Sequence, residues 1–134
     1  MNSIGESEAQ SGVPVALAIR DEALRQQVVE AIQSLPAVIV DQDCPATTQE
    51  ELLASMTRLR PGIVLLGLSG LPGDASEVIA RMAALDPAPL IIAVNATADA
   101  ASILKAMRSG AAEFVYPPFE ALSPKRFNGC RRIA

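Results

Sequence analysis

The sequence predicts one α/β domain in which a parallel sheet of five strands carries helices on both faces. Five short apolar runs are separated by four segments in which apolar residues recur at helical spacing. Each run is bounded by Gly, Pro or other turn residues, as is typical of strands that are buried on both faces. The 134 residues, half of them hydrophobic, are enough for one core. The alternation favours right-handed crossovers between parallel strands.

The first half of the chain predicts two strand–helix units. Asp21 is the predicted N-cap of the first helix because its carboxylate can accept from a backbone N–H of the first turn. Pro36 is predicted to end that helix. Thr47 or Thr48 is the predicted N-cap of the second helix, since a Glu follows each of them three residues later. The predicted strands are 13–19 and 37–40, and the predicted buried stripes are Leu24, Val28, Ile32 and Leu35 in the first helix and Leu52, Met56 and Leu59 in the second.

The second half predicts three more strands and two more helices. Asp74 is a predicted N-cap for the third helix, and Thr97 or Asp99 for the fourth. Gly110 is predicted to end the fourth helix because Gly adopts the left-handed conformation without a steric penalty. The predicted strands are 63–66, 90–94 and 113–116, and the apolar helix positions are Val78, Ile79, Met82 and Leu85 in the third helix and Ile103, Leu104 and Met107 in the fourth.

The composition argues against several classes of function. The formal net charge is -4 and the Lys and Arg residues are scattered, whereas nucleic-acid binding needs a basic patch. There is no His, which excludes Ser–His and Cys–His nucleophiles. Cys44 and Cys130 do not form a Cys-x-x-Cys pair, so a zinc site is not expected. The sequence also lacks a Gly-x-x-x-x-Gly-Lys-Ser/Thr nucleotide motif. We therefore expect neither a metal nor a cofactor.

The two ends of the chain differ in composition from the predicted domain, 13–119. Residues 1–12 are polar, predict a disordered arm, and lack the apolar segment of a signal peptide. No apolar run is long enough to span a bilayer, so we expect a cytoplasmic protein without direct membrane insertion. Residues 120–134 contain Pro124 and Gly129 and predict a tail or a partial fifth helix. That weak ending suggests that the chain is a fragment of a longer protein.

The C-terminal part of the predicted domain resembles the receiver domains of bacterial two-component response regulators. The segment 109–111 reads Ser-Gly-Ala, and 113–119 reads Glu-Phe-Val-Tyr-Pro-Pro-Phe. Together with the spacing of strands and helices, the resemblance covers 13–119. It implies a flavodoxin-like (CheY-like) doubly wound fold with strand order 2-1-3-4-5, in which the fifth helix of this chain is weak or missing. It also implies a cis peptide bond before Pro118.

The resemblance further implies where a phosphorylation site would lie. A working receiver holds Mg²⁺ with an acidic pair after the first strand and phosphorylates an Asp at the end of the third. A Thr or Ser and a Lys after the fourth and fifth strands contact the phosphoryl group, whose charge the metal and the Lys offset. In this chain the positions fall on Ile19 and Arg20, Gly67, Asn95 and Pro117, and the acceptor position falls on Leu66 or Leu68 if the register shifts by one residue. None carries the required side chain, so the resemblance implies a pseudo-receiver that is not an enzyme.

A finer resemblance comes from the ending Tyr116–Glu120. It is similar to the atypical receiver domain at the N-terminus of CpaE/TadZ pilus-assembly proteins, where that domain precedes a MinD/ParA-like ATPase domain. This implies a module for protein interaction, dimerisation or localisation, at a cell pole or at a membrane through partners, in type IVb (Tad) pilus assembly or related signalling. The implied surface is 98–107 with 113–119, and the candidate interface residues are Ile103, Lys105, Met107, Phe114, Tyr116 and Phe119.

Two other functions remain open. Asp21, Asp41 and Asp43 could form a displaced acidic metal site in a receiver that still switches, although loops and helix caps also account for these residues and for Asp74. The loop from Gly67 to Gly73 could hold a small ligand on its backbone N–H groups, as in a ligand sensor. Turn chemistry also explains the Gly and Pro residues of that loop.

Overall fold

The computed structural model describes residues 13–33, 37–41, 48–69, 71, 74–97, 99–117 and 119. The predicted arm 1–12, the predicted tail 120–134, and the predicted cis bond at Pro118 lie outside these residues. The elements in chain order are β1 (Val13–Ala18), α1 (Glu22–Ile32), β2 (Ala37–Asp41), α2 (Gln49–Leu59), β3 (Ile63–Gly67), α3 (Ala75–Ala83), β4 (Leu90–Val94), α4 (Ala100–Ser109) and β5 (Glu113–Val115).

The five strands form one parallel sheet in the order β2-β1-β3-β4-β5. This confirms the predicted fold class and strand order. The register aligns the ends of the central strands, because Leu66 pairs with Ala18 and Gly67 pairs with Val94. The residues that follow β1, β3 and β4 therefore meet at one edge of the sheet, as in other parallel sheets.

The core lies on both faces of the sheet because successive strand residues point to opposite sides. On one face, Val15, Leu17 and Ile19 pack with the buried stripe of α1. On the opposite face, Ala16 and Ala18 lie beneath the core formed with α2, α3 and α4. Every buried residue among those described is apolar. Fully burying one such large side chain contributes about 1.5–3 kcal/mol, so this two-sided core stabilises the fold.

The observed N-cap of each helix is one of the residues that the sequence predicts for it. Each cap accepts a hydrogen bond from the backbone N–H three residues later, at 3.1–3.2 Å. Thr48 is the cap of α2 rather than Thr47, and Asp99 is the cap of α4 rather than Thr97. At the other end of α4, Gly110 has φ 132°, which confirms it as the residue that ends the helix. The four caps are Asp21, Thr48, Asp74 and Asp99.

Four elements end earlier than the sequence predicts. β1 ends at Ala18 and α1 ends at Ile32; the predicted helix residue Leu35 and the predicted stop at Pro36 lie outside the described residues.

α3 ends at Ala83, so Leu85 lies beyond the helix and is half-buried. The reason is Pro87, which has no N–H to donate to the Ala83 carbonyl and whose ring would clash with that carbonyl if the helix continued; the Asp86–Pro87 peptide bond is cis. β5 ends at Val115, which places Tyr116 just after the strand.

Candidate functional site

The residues at the receiver-site positions lie at the carboxyl edge of the sheet. Ile19 directly follows β1, Gly67 is the last residue of β3, Asn95 directly follows β4, and Pro117 is the second residue after β5. Backbone bonds extend the sheet to this edge, because the Asn95 N–H donates to the Val115 carbonyl at 3.2 Å. The structure thus brings together the positions that the resemblance implied, and chemistry at this edge depends on which side chains they carry.

Gly67 and Ile19 are in close contact at this edge. Both residues are buried, and Ile19 is 0% exposed. A Cβ atom at Gly67 would lie 3.1 Å from Ile19 Cγ2 and 3.2 Å from Ile19 Cα. Distances this short leave no room for a side chain at the end of β3 unless Ile19 moves. The contact is aliphatic, so it supplies neither a nucleophile nor a ligand for a cation.

The other receiver-site positions differ in exposure. Arg20 is exposed, Asn95 is half-buried, and Pro117 is half-buried. Among them, Asn95 lines a cavity that opens beside the carboxyl ends of β3 and β4. Asn95 is therefore the receiver-site position whose polar side chain borders this cavity.

The cavity has a volume of about 270 Å³ and lies between the N-terminal end of α3 and the middle of α4. Its polar wall includes Ser69 and Asn95 from the loops and Asp74 from the start of α3. Lys105 lines it from α4, and the buried side chain of Ile79 contributes to its apolar part. The predicted ligand loop, Gly67 to Gly73, contributes Leu68 and Ser69 to the lining. Residues 70, 72 and 73 lie outside the described part of the chain.

Sequence reasoning did not connect Lys105 with the ligand loop. The two are far apart in sequence, and only the packing of α4 beside α3 brings them to one cavity. A signal was present in the sequence, because parallel strands β3 and β4 are neighbours and the helices that follow them pack together. To predict that Lys105 lies on the side of α4 that faces α3, however, one must know how that helix is oriented about its own axis.

Of the three residues considered for a displaced metal site, Asp21 caps a helix, and Asp74, which is not one of the three, is the cap of another helix. Asp21 is exposed, and its Oδ1 accepts from the Leu24 N–H at 3.1 Å. Asp74 Oδ2 accepts from the Glu77 N–H at 3.2 Å. These bonds confirm the predicted helix-cap roles. Asp41 is the last residue of β2, and Asp43 lies outside the described residues. Within the described ranges, no group of three or more Cys, Asp or Glu side chains is placed to hold a metal ion.

The predicted interface residues fall into two groups. Met107 is 41% exposed and Tyr116 is 46% exposed, and Lys105 is exposed as well. The others, Ile103, Phe114 and Phe119, are half-buried. Phe114 packs against the core on the α3 side and Phe119 against the core on the α1 side.

Leu104 is the exposed residue that the interface prediction left out. It is 53% exposed, more than any other large hydrophobic residue among those described. The cause is the rotation of α4, whose one buried residue is Ala106. Residues two apart on a helix point about 200° apart, so Leu104 faces away from the core. For brevity, the exposed side chains of Leu104 and Met107 on α4 and of Tyr116 after β5 are together called the α4–β5 surface.

Known proteins resemble this chain in structure. The signal receiver domain of the response regulator NarL from Mycobacterium tuberculosis matches with a TM-score of 0.75 and 19% identity, over 91% of this chain and 98% of the other. A response regulator from Chloroflexus aurantiacus matches with a TM-score of 0.74 and 17% identity, over 90% and 99%. The BeF3-activated receiver domain of DrrB, from Thermotoga maritima, matches with a TM-score of 0.70 and 19% identity, over 90% and 98%.

The comparisons by sequence give no match. No protein-family model matches the chain, and no curated protein matches it. Within the described residues, none of the helices has the length and apolar character that crossing a membrane requires. The five-stranded sheet, its order and its agreement with the solved structures over nine-tenths of the chain lead to one conclusion: this chain has the fold of response-regulator receiver domains.

Proposed function

We propose that this chain is a non-catalytic pseudo-receiver, a protein-interaction module that works without aspartyl phosphorylation. The observation that carries the proposal is the contact between Ile19 and Gly67, at the position where a receiver would hold its phosphoryl acceptor. Phosphoryl transfer depends on a nucleophile, a divalent cation and positive charge around the transferred group. An Ile side chain packed on a Gly offers none of these.

The α4–β5 surface is the part of the molecule that we propose for docking. Three large side chains in solvent, Leu104, Met107 and Tyr116, are the kind of residues that form the centre of protein interfaces. Lys105 and Arg108 are exposed on the same helix, and its first turn carries no acidic residue. A partner with an apolar centre and an acidic rim would complement this surface. A second copy of the chain, forming a homodimer, is the other occupant that the proposal allows.

The finer part of the proposal concerns the cellular process. The similarity of the ending Tyr116–Glu120 to CpaE/TadZ proteins supports a role in type IVb (Tad) pilus assembly or a related signalling system. In that role the chain would localise a partner at a cell pole, and it would do so through protein contacts. Tyr116 belongs both to that ending and to the α4–β5 surface, so one substitution tests the two together: Tyr116→Ala should disperse a polar fluorescent fusion.

The first experiment on the proposed function is an amide NMR titration of the whole chain with Mg²⁺ and beryllofluoride, a mimic of the aspartyl phosphate. We expect no saturable shifts near Gly67 and Asn95, because the described edge offers no acceptor. Saturable shifts there would mean that a carboxylate accepts phosphate and that the protein is a switch.

The second experiment measures docking. Analytical sedimentation at increasing protein concentration detects a homodimer. If the chain instead captures another protein, cross-linking of the two identifies the residues of this chain at the contact. Tyr116→Ala and Leu104→Ser should weaken the association by at least tenfold. Val38→Ser is the matched control because Val38 is 45% exposed on the edge strand β2, at the opposite side of the sheet from β5. If Val38→Ser weakens association as much, or if neither surface variant changes it, the α4–β5 surface is the wrong assignment.

A further inference from the structure

The cavity between α3 and α4 contains two opposite charges that do not pair with each other. Asp74 lines it from the N-terminus of α3, and Lys105 lines it from α4. Among the described residues, neither side chain takes part in an ion pair. Asp74 uses Oδ2 for the cap bond to the Glu77 N–H, which leaves Oδ1 able to accept another hydrogen bond. The Lys105 ammonium makes no hydrogen bond to any described residue.

The rest of the lining divides by chemistry. Asn95 can both donate and accept through its side-chain amide, which has no partner among the described residues. Ser102 donates its hydroxyl to Asp99 Oδ2 at 3.0 Å, so it remains available only as an acceptor. The apolar part comes from Ile79 and Ala106, which are buried. A ligand that fits this lining has a small apolar group together with charged ends.

The size of the cavity limits the ligand. A volume of about 270 Å³ holds roughly nine water molecules at the ~30 Å³ that each occupies in the liquid. This lies just below the range of about 300–1,000 Å³ that is usual for drug-sized ligands. The volume is therefore sufficient to hold the whole of a molecule the size of a free amino acid.

The charges of the lining decide between an anion and a zwitterion. Lys105 and the N-terminal N–H groups of α3 would attract an anion. The Asp74 carboxylate stands at that same helix end and would repel one. A zwitterion can place its positive group at Asp74 and its negative group at Lys105, so it complements both charges of the lining. We propose that the cavity binds a small apolar α-amino acid, with its ammonium group at Asp74, its carboxylate at Lys105 and its side chain against Ile79. The cavity shares Lys105 with the edge of the proposed docking surface, but Leu104, Met107 and Tyr116 do not line it.

The test is an amide NMR titration of the full chain with L-alanine, L-valine and L-leucine up to millimolar concentration. We expect saturable shifts at Ser76, Asn95 and Lys105 for at least one of them. N-acetyl-L-valine lacks the ammonium group and L-valinamide lacks the carboxylate, so each should bind at least tenfold more weakly than L-valine. Inorganic phosphate is the third comparison. An absence of saturable shifts with all three amino acids, or equal binding of phosphate or of either analogue, would overturn the proposal.

Two substitutions separate ligand contacts from helix stability. Lys105→Met should weaken L-valine binding at least tenfold, because a hydrogen bond to a charged group is lost. Arg108→Met removes a charge from the same helix outside the cavity and should leave binding unchanged. Asp74→Asn removes the carboxylate charge but keeps a good N-cap, so it should weaken binding while the stability of α3 stays the same. Unchanged binding in both Lys105→Met and Asp74→Asn would overturn the proposal, because the amino acid would then not use these two charges.

Discussion

α3 and α4 are neighbours with the same kind of N-cap, but they are attached to the core in different ways. Asp74 and Asp99 each accept from the backbone N–H three residues later, so the two helices begin alike. α3 buries three large side chains, Val78, Ile79 and Met82. α4 is one residue longer and buries only Ala106.

The difference shows that the interactions that begin a helix are distinct from those that attach the helix to the core. A cap contributes about 1 kcal/mol wherever it occurs, whereas burial of a large apolar side chain contributes about 1.5–3 kcal/mol. α3 therefore belongs to the stabilising core. α4 buries only the small side chain of Ala106, and its Leu104 and Met107 side chains are exposed.

The sharpest test of this comparison uses the same residue type in both helices. Met82 is fully buried in α3 and Met107 is exposed in α4. Met82→Ala should lower the free energy of unfolding by about 2–5 kcal/mol, through lost transfer energy and a residual cavity. Met107→Ala should change it by no more than about 0.5 kcal/mol. Urea unfolding of both variants measures the two values, and equal losses would mean that α4 is held as firmly as α3.

A second prediction extends the comparison to the sheet edge, where the end of β3 is filled and the cavity beside it is open. Gly67→Ala should lower the free energy of unfolding by about 1–3 kcal/mol, because the new Cβ would force Ile19 to move. Ser69→Ala, at an exposed position in the cavity lining, should have little effect.

A double-mutant cycle identifies the group responsible. In an Ile19→Ala background the Cγ2 atom is gone, so Gly67→Ala should cost less than in the native chain. The same cost in both backgrounds would mean that the Ile19 side chain is not what closes this position.

The smallest expected effect concerns the caps themselves. Asp74→Ala and Asp99→Ala should each lower the free energy of unfolding by about 1 kcal/mol, and Asp→Asn at either position should restore it. Hydrogen exchange should separate the helices, because α4 has little burial to hold its first turn once the cap is removed. We expect the amides of 100–103 to exchange faster in Asp99→Ala, while those of α3 keep their protection in Asp74→Ala. Equal loss of protection in the two helices would contradict the comparison.

The fold was predictable because its signals are local. β4 was predicted at 90–94 and has those bounds, and Asp21, Asp74 and Gly110 mark helix ends through backbone chemistry that their own side chains, or the lack of one, determine. The end of α3 was predicted too late because Leu85 continues the apolar spacing, and that pattern does not register that Pro87 cannot bond to, and would clash with, the carbonyl of Ala83 four residues earlier.

The candidate site was predictable only in part. That Gly67 has no nucleophile is visible in the sequence, but its contact with Ile19 depends on the register between β1 and β3. Leu104 fits the apolar pattern of a helix, and nothing local indicates that Ala106 would take the buried position instead. Lys105 reaches the cavity through the packing of α4 beside α3, which is a tertiary property.

The contact between Ile19 and Gly67 also limits the substitutions that either position tolerates. A carboxylate introduced at position 67 alone would enter a buried aliphatic site, where an unpaired charge is strongly unfavourable. A carboxylate introduced at position 19 alone would likewise place a charge at a buried position, opposite a Gly that offers no side chain to pair with it. Each single change is expected to lower the free energy of unfolding. The Ile19–Gly67 contact therefore makes an acidic residue unfavourable at either position unless the other residue changes as well.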